Sequence, residues 1–157
     1  MALETKTTLS DKVIAELQTL IQVNIDSSRG FSEAAEQIKD PGIADLFRTL
    51  GTERSAFAAE LQTYVAFNYE EPQEDGSAAA ALHRLWIDIR GMISGGDNYA
   101  ILAEAERGED QIKEAYEKAL METAGSAMND LLQQQYAQVK AGHDQVRDLR
   151  DAYKARK

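Results

Sequence analysis

The sequence predicts an all-α protein: an antiparallel four-helix bundle with a short extra helix in the crossover between long helices two and three. Two observations lead to this. Apolar residues recur at alternating steps of three and four along four long stretches, the spacing of helices packed in a left-handed bundle. Capping residues and breakers stand between those stretches, with boundaries expected near residues 40, 70–76, 94–97 and 124–126.

The first helix follows Ser10, a good N-cap. Its seam reads Val13, Leu17, Leu20, Asn24, Ser27, Phe31, Ala34, Ile38. Asp40-Pro41 then restarts the chain, with proline at the first helical position, where a missing N–H costs nothing. The second seam is Ile43, Phe47, Leu50, Arg54, Phe57, Leu61, Tyr64, ending before the acidic stretch Glu70 to Asp75, which reads as a solvated loop. Only a few residues join these two helices, so they are expected to be antiparallel neighbours. A shorter helix is expected over residues 77–93, with Leu82, Leu85, Trp86 and Ile89 on one side and His83 at the rim of that packing cluster. Asp97 caps the third long helix, whose seam is Leu102, Ala105, Glu109, Ile112, Tyr116, Ala119. Gly125-Ser126 breaks it, and the last helix carries Met128, Leu132, Gln135, Val139, Gly142, Val146, Leu149, Tyr153.

A long helix of about 26 residues spans about 39 Å. A short helix with extended flanks covers nearly that distance. The middle connection can therefore return the chain to its starting end and make long helices two and three parallel, the crossover of ferritin-like folds. A plain up-down bundle with the short helix as a lid is the alternative.

Composition narrows the function classes. The length of 157 residues predicts one domain, 1–157, with residues 1–9 a flexible N-terminal tail. The net charge of −10, from 27 acidic and 17 basic residues, repels nucleic acid and anionic membranes. The absence of cysteine excludes disulfides, thiolate metal sites and cysteine nucleophiles. No apolar leader or membrane-length run is visible, so a cytoplasmic location is expected.

Polar residues interrupt all four seams near mid-length: Asn24 and Ser27, then Arg54 beside Glu53 with Glu60 a heptad on, then Glu109 with Glu106 one turn before it, then Gln135 and the Gly142-His143-Asp144 step. Charges are rarely buried unless paired or bound to metal. One expectation is a buried polar network of Asn24, Arg54, Glu109, Gln135 and His143, with Arg54 and Glu109 paired across the bundle. The other is a di-iron or di-manganese site drawn from Glu53, Glu60, Glu106, Glu109 and His143. Di-metal bundles place Glu-x-x-His on two helices. That motif is absent here, and Glu106 with Glu109 is the analogous pair. Gly142 on a seam suggests a close helix approach. Tyr116 and Tyr136 read as core residues. No catalytic set and no nucleotide-binding motif stand out.

Several stretches occur together in family order: Glu53-Arg54-Ser55-Ala56-Phe57-Ala58-Ala59-Glu60-Leu61, Ala81-Leu82-His83-Arg84-Leu85-Trp86, Glu104-Ala105-Glu106-Arg107-Gly108-Glu109-Asp110, and His143-Asp144 before Leu149-Arg150-Asp151. Arg29-Gly30-Phe31 and Ala34-Ala35 of the first helix fit as well. Over about residues 10 to 152 the chain resembles a bacterial ferritin-like four-helix-bundle family of unknown function. The resemblance implies a ferritin-like bundle in a bacterial cytosol, often associated with stress, and no established reaction. The sequence departs from the family at Asp26-Ser27-Ser28, where members tend to carry Asp-Gly.

The functional expectation is a non-enzymatic, stress-associated bundle that needs no cofactor and acts through self-association or a protein partner. A metal-binding bundle with oxidase or storage activity is the alternative.

Overall fold

The computed structural model describes residues 4–74 and 97–155. Among the described residues there are four helices and no strand: α1 Asp11–Gln37, α2 Pro41–Phe67, α3 Asn98–Glu122 and α4 Asn129–Ala155. The short helix expected over residues 77–93, with His83 and Trp86, lies outside the described residues.

Each helix start has a local cause. The Ser10 hydroxyl accepts from Val13 N–H. One carboxylate oxygen of Asp40 accepts from Gly42 N–H at 2.9 Å and Ile43 N–H at 3.1 Å, ahead of the helical Pro41. Asp97 accepts from Ala100 N–H. Each cap satisfies backbone donors that the first helical turn leaves without a carbonyl. Between α3 and α4, Gly125 takes a positive φ of 81°, which glycine adopts without a Cβ clash, and Met128 N–H donates to the Ser126 hydroxyl.

Helix directions follow from contacts. The connections at 38–40 and 123–128 are short, so α1 and α2 form one antiparallel pair and α3 and α4 another. Lys12 pairs with Glu122 at 2.9 Å, and Asn24 reaches Tyr116 at 2.8 Å. The early part of α1 therefore lies against the end of α3, and these two are antiparallel as well. It follows that α2 and α3 run in the same direction.

The seams meet in one core. Leu17, Leu20, Phe31, Phe47, Leu61, Ile112, Leu132 and Val139 are among its buried members. The Phe31 and Phe47 rings pack edge to face, with centroids 5.1 Å apart. The second seam ends on buried Val65 and not on Tyr64, which is half-buried and meets the Phe67 ring edge to face. The cause is helical drift: strict heptad spacing slips around a straight helix over several turns.

Within the segment expected to be a flexible tail, residues 4–9 make defined contacts. Leu9 is buried, and its N–H donates to Asn68 Oδ1 at 2.8 Å. Asn68 Nδ2 donates to Lys6 O and Tyr64 O, and the Ser126 hydroxyl donates to Glu4. Residues 4–9 thus lie across one end of the bundle, where an apolar side chain and paired backbone groups hold them. The acidic stretch after α2 is also fastened. Gln18 donates to Glu71 O and accepts from Gln73 N–H, both at 2.8 Å.

Candidate functional site

At mid-height, where the seams turn polar, the structure places Asn24, Ser27, Arg54 and Glu109 fully out of solvent. Gln135 and His143 are also buried. They form three groups and not a single network.

The first group is a chain of hydrogen bonds that crosses the bundle. Asn24 Nδ2 donates to Leu20 O at 2.9 Å and to the Tyr116 hydroxyl at 2.8 Å. Tyr116 donates to Gln135 Oε1 at 2.7 Å, and Gln135 Nε2 donates to Glu60 Oε1 at 3.1 Å. Every bond points the same way and the chain ends on a carboxylate. The Leu20 carbonyl fixes the Asn24 amide orientation, because only the NH2 end can donate to it. Burial raises the Tyr116 pKa well above its ordinary value, so the hydroxyl stays protonated and keeps its donor role. Sequence reading assigned Tyr116 to the apolar core. The signal that could have found it is its seam position between Asn24 and Gln135, two amides without an obvious partner.

The second group is the charge pair. Arg54 Nη2 donates to Glu109 Oε2 at 2.5 Å, and Nη1 donates to Glu53. The Arg54 guanidinium carbon lies 5.9 Å from the Phe57 ring centroid. Burial pushes the Glu109 carboxyl up to about 6, and the Arg54 charge works against this without cancelling it. Gly142 of α4 covers the pair. A Cβ there would stand 2.8 Å from Leu50 Cδ2, 3.0 Å from Arg54 Nη2 and 3.1 Å from Glu109 Oε2. Only a residue without a side chain lets α4 approach this closely.

The third group lies nearer the surface between α3 and α4. His143 does not join Arg54 and Glu109. Its Nε2 lies 2.7 Å from Asp110 Oδ1 and 3.6 Å from Glu106 Oε1, and its Nδ1 lies 3.2 Å from Asp144 Oδ1. The hydrogen bond from His143 holds the Asp144 carboxyl below its usual range. Glu106 is also bound by Arg150. Nothing in the sequence marks Asp110 as a partner of His143 or Arg150 as a partner of Glu106, since both depend on how α3 and α4 are paired.

The five proposed metal donors are therefore dispersed. Glu53 and Glu109 share Arg54, Glu106 is held by Arg150 and faces His143, and the exposed Glu60 accepts from Gln135. Among the described residues no group of three or more His, Asp or Glu side chains is arranged to hold a metal ion. No helix among the described residues is long and apolar enough to cross a membrane.

The fold and interior define a class: an α-helical bundle whose axis is filled by hydrogen-bonded polar side chains and a buried ion pair. A family model described as a domain of unknown function (DUF2383) matches residues 12–122, most of the chain, and the protein belongs to that family. The match takes in α1 to α3. Gln135, Gly142 and His143, through which α4 meets the polar interior, lie beyond it. No curated protein matches the chain.

Proposed function

We propose that this is a non-enzymatic, ferritin-like bundle whose interior polar residues hold the helices in register in place of a di-metal centre, and which acts by associating with further copies of itself or with a protein partner. The observation that carries the reading is the Arg54–Glu109 pair. A guanidinium occupies the bundle interior, where di-metal bundles gather carboxylates, and it takes up both Glu53 and Glu109. A fixed positive charge at about 4 Å disfavours a further unit charge by about 4 kcal/mol at an effective dielectric near 20, and a divalent ion by about twice that. The parallel run of α2 and α3 supports the ferritin-like topology. Association finds support at one end of the bundle, where Phe67 and Met121, in the last turns of α2 and α3, and Tyr69 just beyond α2 are exposed. The family resemblance supports a stress setting in a bacterial cytoplasm.

A metal-binding bundle with oxidase or storage activity is the second reading. It is favoured by one feature: Glu109 Oε1 is buried with no hydrogen-bond partner. Elemental analysis of protein purified without chelator separates the two, alongside a ferroxidase assay and sedimentation over a range of concentration and salt. The expected result is no stoichiometric iron, manganese or zinc, no iron oxidation, and a sedimenting mass above that of one chain or one that rises with concentration. About two metals per chain, lost in a Glu106→Ala, Glu109→Ala double variant, would promote the second reading. A monomer under all conditions, with no metal, would count against association with itself.

A further inference from the structure

Among the described residues, four buried side-chain atoms have no hydrogen-bond partner: Asn24 Oδ1 and Ser27 Oγ on α1, Arg54 Nε on α2 and Glu109 Oε1 on α3. They lie on neighbouring turns of three helices. Asn24 and Ser27 are one turn apart on the inner face of α1. Gly51 of α2 packs against Ser28, Phe31 and Ser32 of α1, so in this antiparallel pair Arg54, one turn past Gly51, stands near the height of Ser27, with Asn24 one turn further on. Glu109 is in direct contact with Arg54. Two of the atoms terminate the hydrogen-bond chain and its neighbouring turn, and the other two terminate the charge pair.

Their chemistry selects the occupant. Asn24 Oδ1 and Glu109 Oε1 are acceptors, Arg54 Nε–H is a donor, and the Ser27 hydroxyl can donate. A cation would meet the guanidinium N–H. An anion would meet the Glu109 carboxylate. An apolar molecule would leave all four hydrogen bonds unmade, at a cost of about 1–3 kcal/mol for each buried group. A water molecule has two donors and two acceptors, the complement of this set, and buried waters ordinarily make about three such bonds. We infer that this region is an internal hydration site: a water, as one molecule or a hydrogen-bonded pair, accepts from Arg54 Nε–H and the Ser27 hydroxyl and donates to Asn24 Oδ1 and Glu109 Oε1.

The site joins the two inner groups into one network that reaches all four helices. It also gives Glu109 a second ligand that the ion pair does not supply, and it accounts for the free carboxylate oxygen without a metal.

A crystal structure of the full chain at atomic resolution tests this. The expected result is a water peak within hydrogen-bond reach of Arg54 Nε or Glu109 Oε1 and linked, directly or through one further water, to Asn24 Oδ1 or Ser27 Oγ. In the Ser27→Ala variant, which removes one small hydroxyl and keeps the ion pair, the same peak should remain with lower occupancy or higher displacement. Three results would overturn the inference: direct pairing among the four atoms, an anomalous-scattering signal that identifies an ion there, or a region closed by packing with no density between the pairs.

Discussion

Arg54 and Glu109 form a buried ion pair in which neither charge is cheap to keep alone. Both are fully buried, and each charge is tolerated because the other is there. Removing one partner leaves an uncompensated charge, so Glu109→Ala is expected to destabilise the protein by about 3 kcal/mol, with Glu53 left as Arg54's remaining carboxylate. Arg54→Met together with Glu109→Leu removes both charges and should cost much less. Thermal or denaturant unfolding of the single and double variants measures the difference, and equal loss in both would show the residues to be uncoupled. The pH dependence has a defined sign. Glu109 is raised from 4.5 to about 6 in the folded state, so folding takes up a proton there. Its contribution is fully present below pH 4.5 and is lost as pH rises through 6. The stability of wild type relative to Glu109→Gln should therefore fall by about 2 kcal/mol between pH 4.5 and pH 7, because a tenfold difference in proton affinity between the folded and unfolded states is worth about 1.4 kcal/mol. A flat difference would mean that the Arg54 charge offsets burial completely.

At the level of helices, the closeness of α4 to α2 and α3 depends on Gly142. Two effects oppose each other in Gly142→Ala. Alanine favours the helix by about 1 kcal/mol over glycine. The added methyl, however, meets Leu50, Arg54 and Glu109 at 2.8–3.1 Å. Overpacking of this kind costs about 1–3 kcal/mol, and two of the three neighbours are held by the ion pair and cannot swing aside. The net expectation is destabilisation by about 1 kcal/mol or more in urea unfolding. A stabilised Gly142→Ala would mean that α4 shifts outward freely and that the approach is not constrained. The helix ends are less demanding, because Ser10, Asp40 and Asp97 each satisfy local donors whatever packs against them.

Across the whole molecule, one end of the bundle is closed by the N-terminal segment, and Asn68 is the residue that closes it. Its side chain bonds Leu9 N–H, Lys6 O and Tyr64 O at 2.8–2.9 Å. Asn68→Ala removes all three bonds and the anchor that keeps Leu9 buried. The expected outcome is a loss of about 1–3 kcal/mol and much faster hydrogen exchange at the Leu9 amide, with α3 and α4 amides little changed. Unchanged exchange at Leu9 would show that burial of its side chain alone holds the segment. The net charge of −10 opposes close approach of copies, so any self-association is expected to strengthen with salt.

What the sequence determined by itself was local. Ser10, Asp40-Pro41, Asp97 and Gly125-Ser126 set the helix ends within about three residues, because capping and breaking act over a few bonds. The three-and-four spacing placed Val13 to Ile38 and Leu102 to Ala119 inward, because helical periodicity is a property of one chain segment. Tertiary structure alone decided which polar residue meets which. Arg54 finding Glu109, Tyr116 linking Asn24 to Gln135, and His143 turning to Asp110 all depend on helix direction, rotation and height, quantities that no single seam encodes. The same holds for residues 4–9, within the segment expected to be a flexible tail: only the assembled end of the bundle offers Asn68 and a covered place for Leu9.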